Sequence, residues 1–194
     1  MKKGDYLSII LRSEKTVFSL KDIALLWQDS GNSAPRVRLN YYVRNGDLYR
    51  IRRGLYAKSK DYSNLELATR VFTPSYVSFE TVLAKEGLIF QYYTEIFIAS
   101  YVTREVTIDG QVYFYKKMKE PVLVNSKGVE NVGGTSIATK ERAFLDTLYV
   151  NSDYHFDNLQ PLNWDVVLEI LPVYDNKRMA KIVNILFKEN QTII

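Results

Sequence analysis

The stretch RNGDLYRIRRGLYAKSK, Arg44 to Lys60, places six basic residues in seventeen positions while its apolar residues alternate in the manner of a strand hairpin. Leu48, Arg50 and Arg52 alternate with Tyr49, Ile51 and Arg53. Gly54 then permits a tight turn, and Leu55, Tyr56 and Ala57 can return as the partner strand. Arg52 and Arg53 occupy the turn itself, where a polyanion would meet them.

Upstream of the hairpin the spacing predicts three helices. The third spans about Ala34 to Asn45, with Ser33 as cap, Pro35 in the first turn where its missing N–H costs little, and Gly46 as a left-handed stop. On a helical wheel Leu39, Tyr42 and Val43 share one side. Arg36, Asn40 and Arg44 form one flank of the other side and Arg38 the opposite flank, with Val37 and Tyr41 between. A second helix starts at Ser19, with Asp22 three residues on in a capping-box arrangement, and ends near Asp29 before the turn residues SGNS. Leu20, Ile23, Ala24 and Trp27 give it one apolar face. Tyr6, Leu7, Ile10 and Leu11 mark a first helix over Lys3 to Leu11. Three helices followed by a two-stranded hairpin is the order of a winged helix-turn-helix, in which the third helix enters the major groove and the hairpin lies along the phosphates.

After Lys60 the character changes. DYSN reads as a short linker, which divides the chain into residues 1–60 and 61–194. A helix follows from about Leu65 to Phe72, and Ser78 is placed to cap another through Ala84, stopped by Gly87. Residues 94–124 favour strands: TEIFIASYVTREVTI, the hairpin turn Asp109-Gly110, QVYFYKKM and PVLV. Gly133-Gly134 marks a break, and helices are predicted over Ala138 to Tyr149, Trp164 to Leu171 and Asp175 to Lys188. The larger part is therefore expected to be α+β, an antiparallel sheet flanked by helices.

The charge divides with the composition. Residues 1–60 carry 13 Lys or Arg against 5 Asp or Glu, whereas the remaining 134 carry 13 against 17, for a net of +4 over 194 residues. A basic module beside an acidic one suggests two tasks, and the polyanion expected for the first is nucleic acid. No apolar run approaches the roughly 20 residues needed to span a bilayer, and MKKGDYLSIILRSEK makes a poor signal peptide. The absence of cysteine excludes disulfides and thiolate metal sites, and fits a cytoplasmic protein.

Signals for catalysis are weak. The single histidine, His155, lies in the loop-like NSDYHFDN, where Asp153 and Asp157 supply too few further ligands for a metal site. Gly133-Gly134-Thr135-Ser136 lacks the lysine of a phosphate-binding loop. Arg142 and Asp146 at i, i+4 read as a surface ion pair beside Glu141. Tyr76, Tyr92, Tyr93, Tyr101, Tyr113 and Tyr115 could stack single-stranded bases, but packing within a sheet is the plainer role, and the acidic balance of this half favours packing. Neither a catalytic residue, a metal nor a cofactor is expected.

Three blocks, LNYYVRNGDLYRIRRGLYA, SYVSFETVLAKEGLI and IATKERAFLDTLY, span Leu39 to Tyr149, and in this order they resemble the AbiEi family of antitoxins and transcriptional regulators from type IV toxin-antitoxin systems. The resemblance implies an N-terminal winged helix-turn-helix that represses its own operon. It also implies a C-terminal domain that counteracts a nucleotidyltransferase-like toxin, AbiEii, directly or indirectly. The DNA-reading role then falls on Arg36, Arg38, Asn40, Tyr41 and Arg44 of the third helix and Arg50, Arg52 and Arg53 of the wing. Double-stranded operator DNA and the toxin are the expected partners, with no membrane. The alternative is a stand-alone regulator of the same fold whose second domain senses a ligand or dimerises. A nuclease targeted by the winged module is a third possibility, and metal-dependent turnover would be its signature.

Overall fold

In the computed structural model, residues 5–29 and 34–192 are described, and they divide into two compact units, Met1–Val71 and Phe72–Ile194. Ser33 and the SGNS turn lie outside the described residues, as does the start of the first helix.

The first unit runs α1 (Asp5–Arg12), β1 (Val17–Ser19), α2 (Leu20–Leu26), α3 (Ala34–Arg44), β2 (Tyr49–Arg52), β3 (Leu55–Ala57) and α4 (Asn64–Val71). The expected hairpin is present as β2 and β3. It is joined by β1, so that an antiparallel sheet of order β1-β3-β2 forms, with Val17 opposite Ala57 and Ser19 opposite Leu55. Ser19 closes β1 and caps α2 at once. Its hydroxyl accepts from the Asp22 amide at 3.1 Å, while the Asp22 carboxylate accepts from the Ser19 amide at 2.9 Å, the two halves of a capping box. The apolar faces of α1, α2 and α3 converge on one core built around Ile10, Phe18, Ile23, Trp27, Leu39 and Tyr42.

The boundary between units falls after Val71 rather than at Lys60, because α4 is fastened to the first unit by charge. Glu66 accepts hydrogen bonds from the Thr16 amide at 2.8 Å and the Thr16 hydroxyl at 2.7 Å, and Arg70 pairs with Asp22 at 2.8 Å. Such pairs leave no trace in local composition.

In the second unit six strands lie in the order β6-β7-β5-β4-β9-β8. They are β4 (Ser75–Val77), β5 (Ile96–Ser100), β6 (Arg104–Ile108), β7 (Gln111–Lys117), β8 (Val129–Val132) and β9 (Thr135–Ala138). The fold class is α+β, but the sheet is mixed rather than antiparallel: β5 runs parallel to β7, and β4 parallel to β9. The hairpin of β6 and β7 turns through Asp109 and Gly110, both at positive φ, which places β6 at the edge and brings β7 back beside β5. β5 is buried along its whole length, as a strand covered on both faces should be.

Helices α5 (Glu80–Lys85), α6 (Glu120–Leu123), α7 (Lys140–Val150), α8 (Trp164–Ile170) and α9 (Lys177–Thr192) complete the unit, and α7 packs against α5 and α8. PVLV, read as a strand, forms α6 because Pro121 sits in a first turn that its fixed φ favours. Ser78 does not cap α5: Phe79 takes the cap position without a side-chain bond, and the Ser78 hydroxyl is committed elsewhere. Gly133-Gly134 is the turn of the β8–β9 hairpin. Among the described residues no helix is long and apolar enough to cross a membrane.

Candidate nucleic-acid interface

The chain seats α3 from its inner side. Leu39 and Tyr42 are buried, the Trp27 and Tyr42 rings meet edge-on at 6.3 Å, and Tyr6 meets Trp27 at 5.3 Å while its carbonyl accepts from the indole N–H at 2.8 Å. These aromatic contacts fix the rotation of the helix about its axis. Gly46, at φ +79°, ends the helix: its amide bonds to the Val43 carbonyl, and the Asp47 amide to that of Tyr42. The chain then enters β2 directly.

Arg36, Val37, Asn40, Tyr41 and Arg44 consequently face solvent. Arg38 stands apart. Its guanidinium lies 3.7 Å from the Tyr6 ring centroid and pairs with Asp29 at 3.3 Å, so this side chain braces the helix on its neighbours.

On β2 the alternation is as the sequence suggests: Arg50 and Arg52 are exposed, Tyr49 and Ile51 half-buried. Register shifts between Arg50 and Arg52, so the ladder to β3 is irregular at Ile51. Arg53 is exposed in the turn, and Gly54 adopts φ +85° there. The Gly54 carbonyl accepts from the Leu20 amide at 3.2 Å, which pins the hairpin turn to the start of α2. The two lysines of the opening stretch are engaged locally, Lys58 on the Ser13 carbonyl and Lys60 over the Tyr49 ring.

None of Arg36, Arg44, Arg50, Arg52 and Arg53 pairs with a carboxylate among the described residues. Three acidic side chains of this unit, Asp22, Asp29 and Glu66, are already held by Lys15, Arg38 and Arg70. Burial pushes the Asp22 carboxyl up, but hydrogen bonds from the Ser19 hydroxyl and amide, together with the charges of Arg70 and Lys15, outweigh it and hold the group at about 2. What remains outward is a set of uncompensated guanidinium groups beside one amide and one phenol, groups suited to phosphate oxygens and base edges.

The polar cluster that the sequence concealed lies in the second unit. Arg142 and Asp146, read as a surface pair, are fully buried and bonded at 3.1 Å. Asp146 also accepts from the hydroxyls of Tyr174 at 2.7 Å, Ser78 at 2.8 Å and Tyr76 at 3.1 Å. Arg142 spends its other N–H groups on the carbonyls of Val122 and Lys127, both at 2.7 Å, and on Tyr76. Burial raises the Asp146 carboxyl, against the pull of Arg142 and the hydroxyls, and raises the phenols of Tyr76 and Tyr174. A protonated Asp146 would leave a buried guanidinium without a counter-charge, so the pair is held ionised. Its reach is structural: it joins two of the sequence blocks, SYVSFETVLAKEGLI and IATKERAFLDTLY, and clamps the turn after α6. Gly128 belongs to the same packing, since a Cβ there would lie 2.8 Å from that of Arg142 and 2.7 Å from Ile170.

The tyrosines form no common stacking face: Tyr76, Tyr113 and Tyr115 are buried, whereas Tyr92 and Tyr101 are exposed. Asp157 accepts from the Phe90 amide, and no group of three His, Asp or Glu among the described residues could hold a metal ion.

No family model matches the chain, and no curated protein matches it. Among solved structures, the RV2827C protein from Mycobacterium tuberculosis is similar at 12% identity over 95% of this chain and 77% of its own, with a TM-score of 0.48, a likeness that carries no functional conclusion.

Proposed function

We propose that the first unit is a winged helix-turn-helix that binds double-stranded DNA, and that the chain is an autorepressor and antitoxin of the AbiEi kind, acting in the cytoplasm without catalysis of its own. The observation that carries the DNA reading is the outward set Arg36, Arg44, Arg50, Arg52 and Arg53, free of carboxylate partners among the described residues and borne on α3 and the β2–β3 hairpin. The element order and the sheet order β1-β3-β2 support it. In this reading α3 enters the major groove, where Arg36, Asn40, Tyr41 and Arg44 read base edges, and the hairpin is the wing, with Arg50, Arg52 and Arg53 against phosphates. The antitoxin role rests on the sequence resemblance, and its partner is a nucleotidyltransferase-like toxin.

Titration of a labelled duplex from upstream of the protein's own gene tests the DNA reading. About four phosphate contacts should lower affinity roughly a hundredfold between about 50 and 200 mM salt. Affinity that stays flat over that range excludes a phosphate-led mode. Coexpression with the product of the adjacent reading frame tests the other half. The fragment 72–194, which leaves α4 with the unit it is bonded to, should relieve toxicity without binding DNA. A folded fragment that gives no protection makes the stand-alone regulator the better description.

A further inference from the structure

Along α3 the cationic face is interrupted by apolar surface. Val37 is 68% exposed and Tyr41 55% exposed. They are four residues apart, so they stack on one side of the helix a single turn from each other. Tyr41 is not free to fold away, because its ring meets Tyr42 edge-on at 5.7 Å and Tyr42 is itself buried against Trp27. Exposed Arg36, Asn40 and Arg44 lie alongside on the same helix. Neither Val37 nor the Tyr41 ring contributes to the core of the unit.

An isolated surface valine is ordinary, but a valine and an aromatic ring held in line between guanidinium groups need an occupant that is anionic at its margins and apolar at its centre. The major-groove edge of a duplex fits this description: phosphates border it, and the C5-methyl of thymine is its one apolar group. We propose that Val37 and Tyr41 form an apolar strip that reads thymine methyl groups, with Val37 as a specificity-determining residue of the recognition helix. The proposal rests on the reading of α3 as the helix that enters the major groove. It adds, beside the base-edge contacts of Arg36, Asn40 and Arg44, a methyl contact through which Val37 chooses T over C at one base pair.

The experiment begins with the full-length protein and a pool of random-sequence duplexes, from which bound sites are recovered. Each thymine of a recovered site is then replaced, one at a time, by deoxyuridine, which removes the methyl and keeps every hydrogen-bonding group. At one or two positions wild-type protein should bind about fourfold more weakly, the equivalent of one buried methyl group. Val37→Ala should keep its melting temperature and its salt-dependent binding but lose the penalty at one of those positions. Val37→Thr, which retains a methyl, should keep part of it. Uniform affinity for every uracil-substituted site, with specific and salt-sensitive binding intact, overturns methyl reading and leaves the DNA-binding reading standing. A penalty that persists unchanged in Val37→Ala also overturns the assignment. Failure to recover any site, with no salt-sensitive duplex binding, sinks both.

Discussion

The guanidinium of Arg38 lies over the ring of Tyr6 at 3.7 Å, a contact that links the first helix to the third at the rim of their shared core. Asp29 holds the same cation at 3.3 Å. Arg38 therefore differs in kind from Arg36, two residues earlier on the same helix. Arg38→Ala should destabilise the first unit by about 1 kcal/mol, the sum of a modest cation–π contact and a partly shielded ion pair. Arg36→Ala should leave stability within about 0.5 kcal/mol while weakening DNA binding. Urea midpoints for the two variants decide the matter, and equal midpoints would reject the distinction.

Helix and hairpin should also separate by what each does to sequence preference. Arg36→Ala or Asn40→Ala should weaken binding by on the order of 1–3 kcal/mol and blur discrimination among operator variants. Arg52→Ala or Arg53→Ala should weaken all duplexes about equally and reduce the slope of log affinity against log salt by about one. Anisotropy titrations on matched and mismatched duplexes read both quantities. A wing variant that alone altered preference would reverse the roles.

In the second unit Asp146→Ala removes the counter-charge from a guanidinium that water cannot reach, at a cost of about 3–5 kcal/mol. The double replacement Arg142→Met with Asp146→Leu should be less harmful than Asp146→Ala alone, because no charge is left stranded. Denaturant unfolding of Arg142→Met, Asp146→Leu and the double replacement closes the cycle, and additive losses would show that the two residues act independently.

Acid should act on the first unit through Asp22. Its folded pKa, about 2, lies below its ordinary value of 3.8. The contribution to stability is therefore complete above the unfolded pKa and disappears as pH falls through the folded one. At most about 2 kcal/mol is involved. The stability gap between wild type and Asp22→Asn should be constant from pH 7 to about 5 and close between pH 4 and 2. A gap of the same size at pH 2 would mean that ionisation of Asp22 contributes nothing.

What the sequence disclosed was local geometry. Ser19 with Asp22, Gly46 after α3, and Asp109-Gly110 between β6 and β7 each announced a cap or a turn, because those residues meet backbone requirements that few others can. The outward residues of α3 and β2 followed from periodicity alone. Pairings decided by distant partners were hidden. β1 is three residues long, too short for an alternation, and its place is set by β3 some forty residues later. Parallel pairing of β5 with β7 has no local signature either. Arg38 carries no mark of its contact with Tyr6, since Tyr6 belongs to the apolar face of its own helix and Arg38 to the polar side of α3. Arg142 and Asp146 resembled an ordinary helical ion pair, although the apolar neighbours Ala143, Phe144, Leu145 and Leu148 leave α7 no polar face for them and could have signalled burial.

The bonds from Thr16 to Glu66 carry a consequence for the order of events during synthesis. The β2–β3 hairpin can close as soon as it is made, but the carboxylate that secures the Thr16 end of β1 arrives fifty residues after it. A ribosome that has delivered every residue of α3 and the hairpin has still not delivered the fastening of the strand beside them. The nascent chain reaches its finished first unit only when α4 has emerged, and a truncation at Lys60 would hold it permanently in that earlier state.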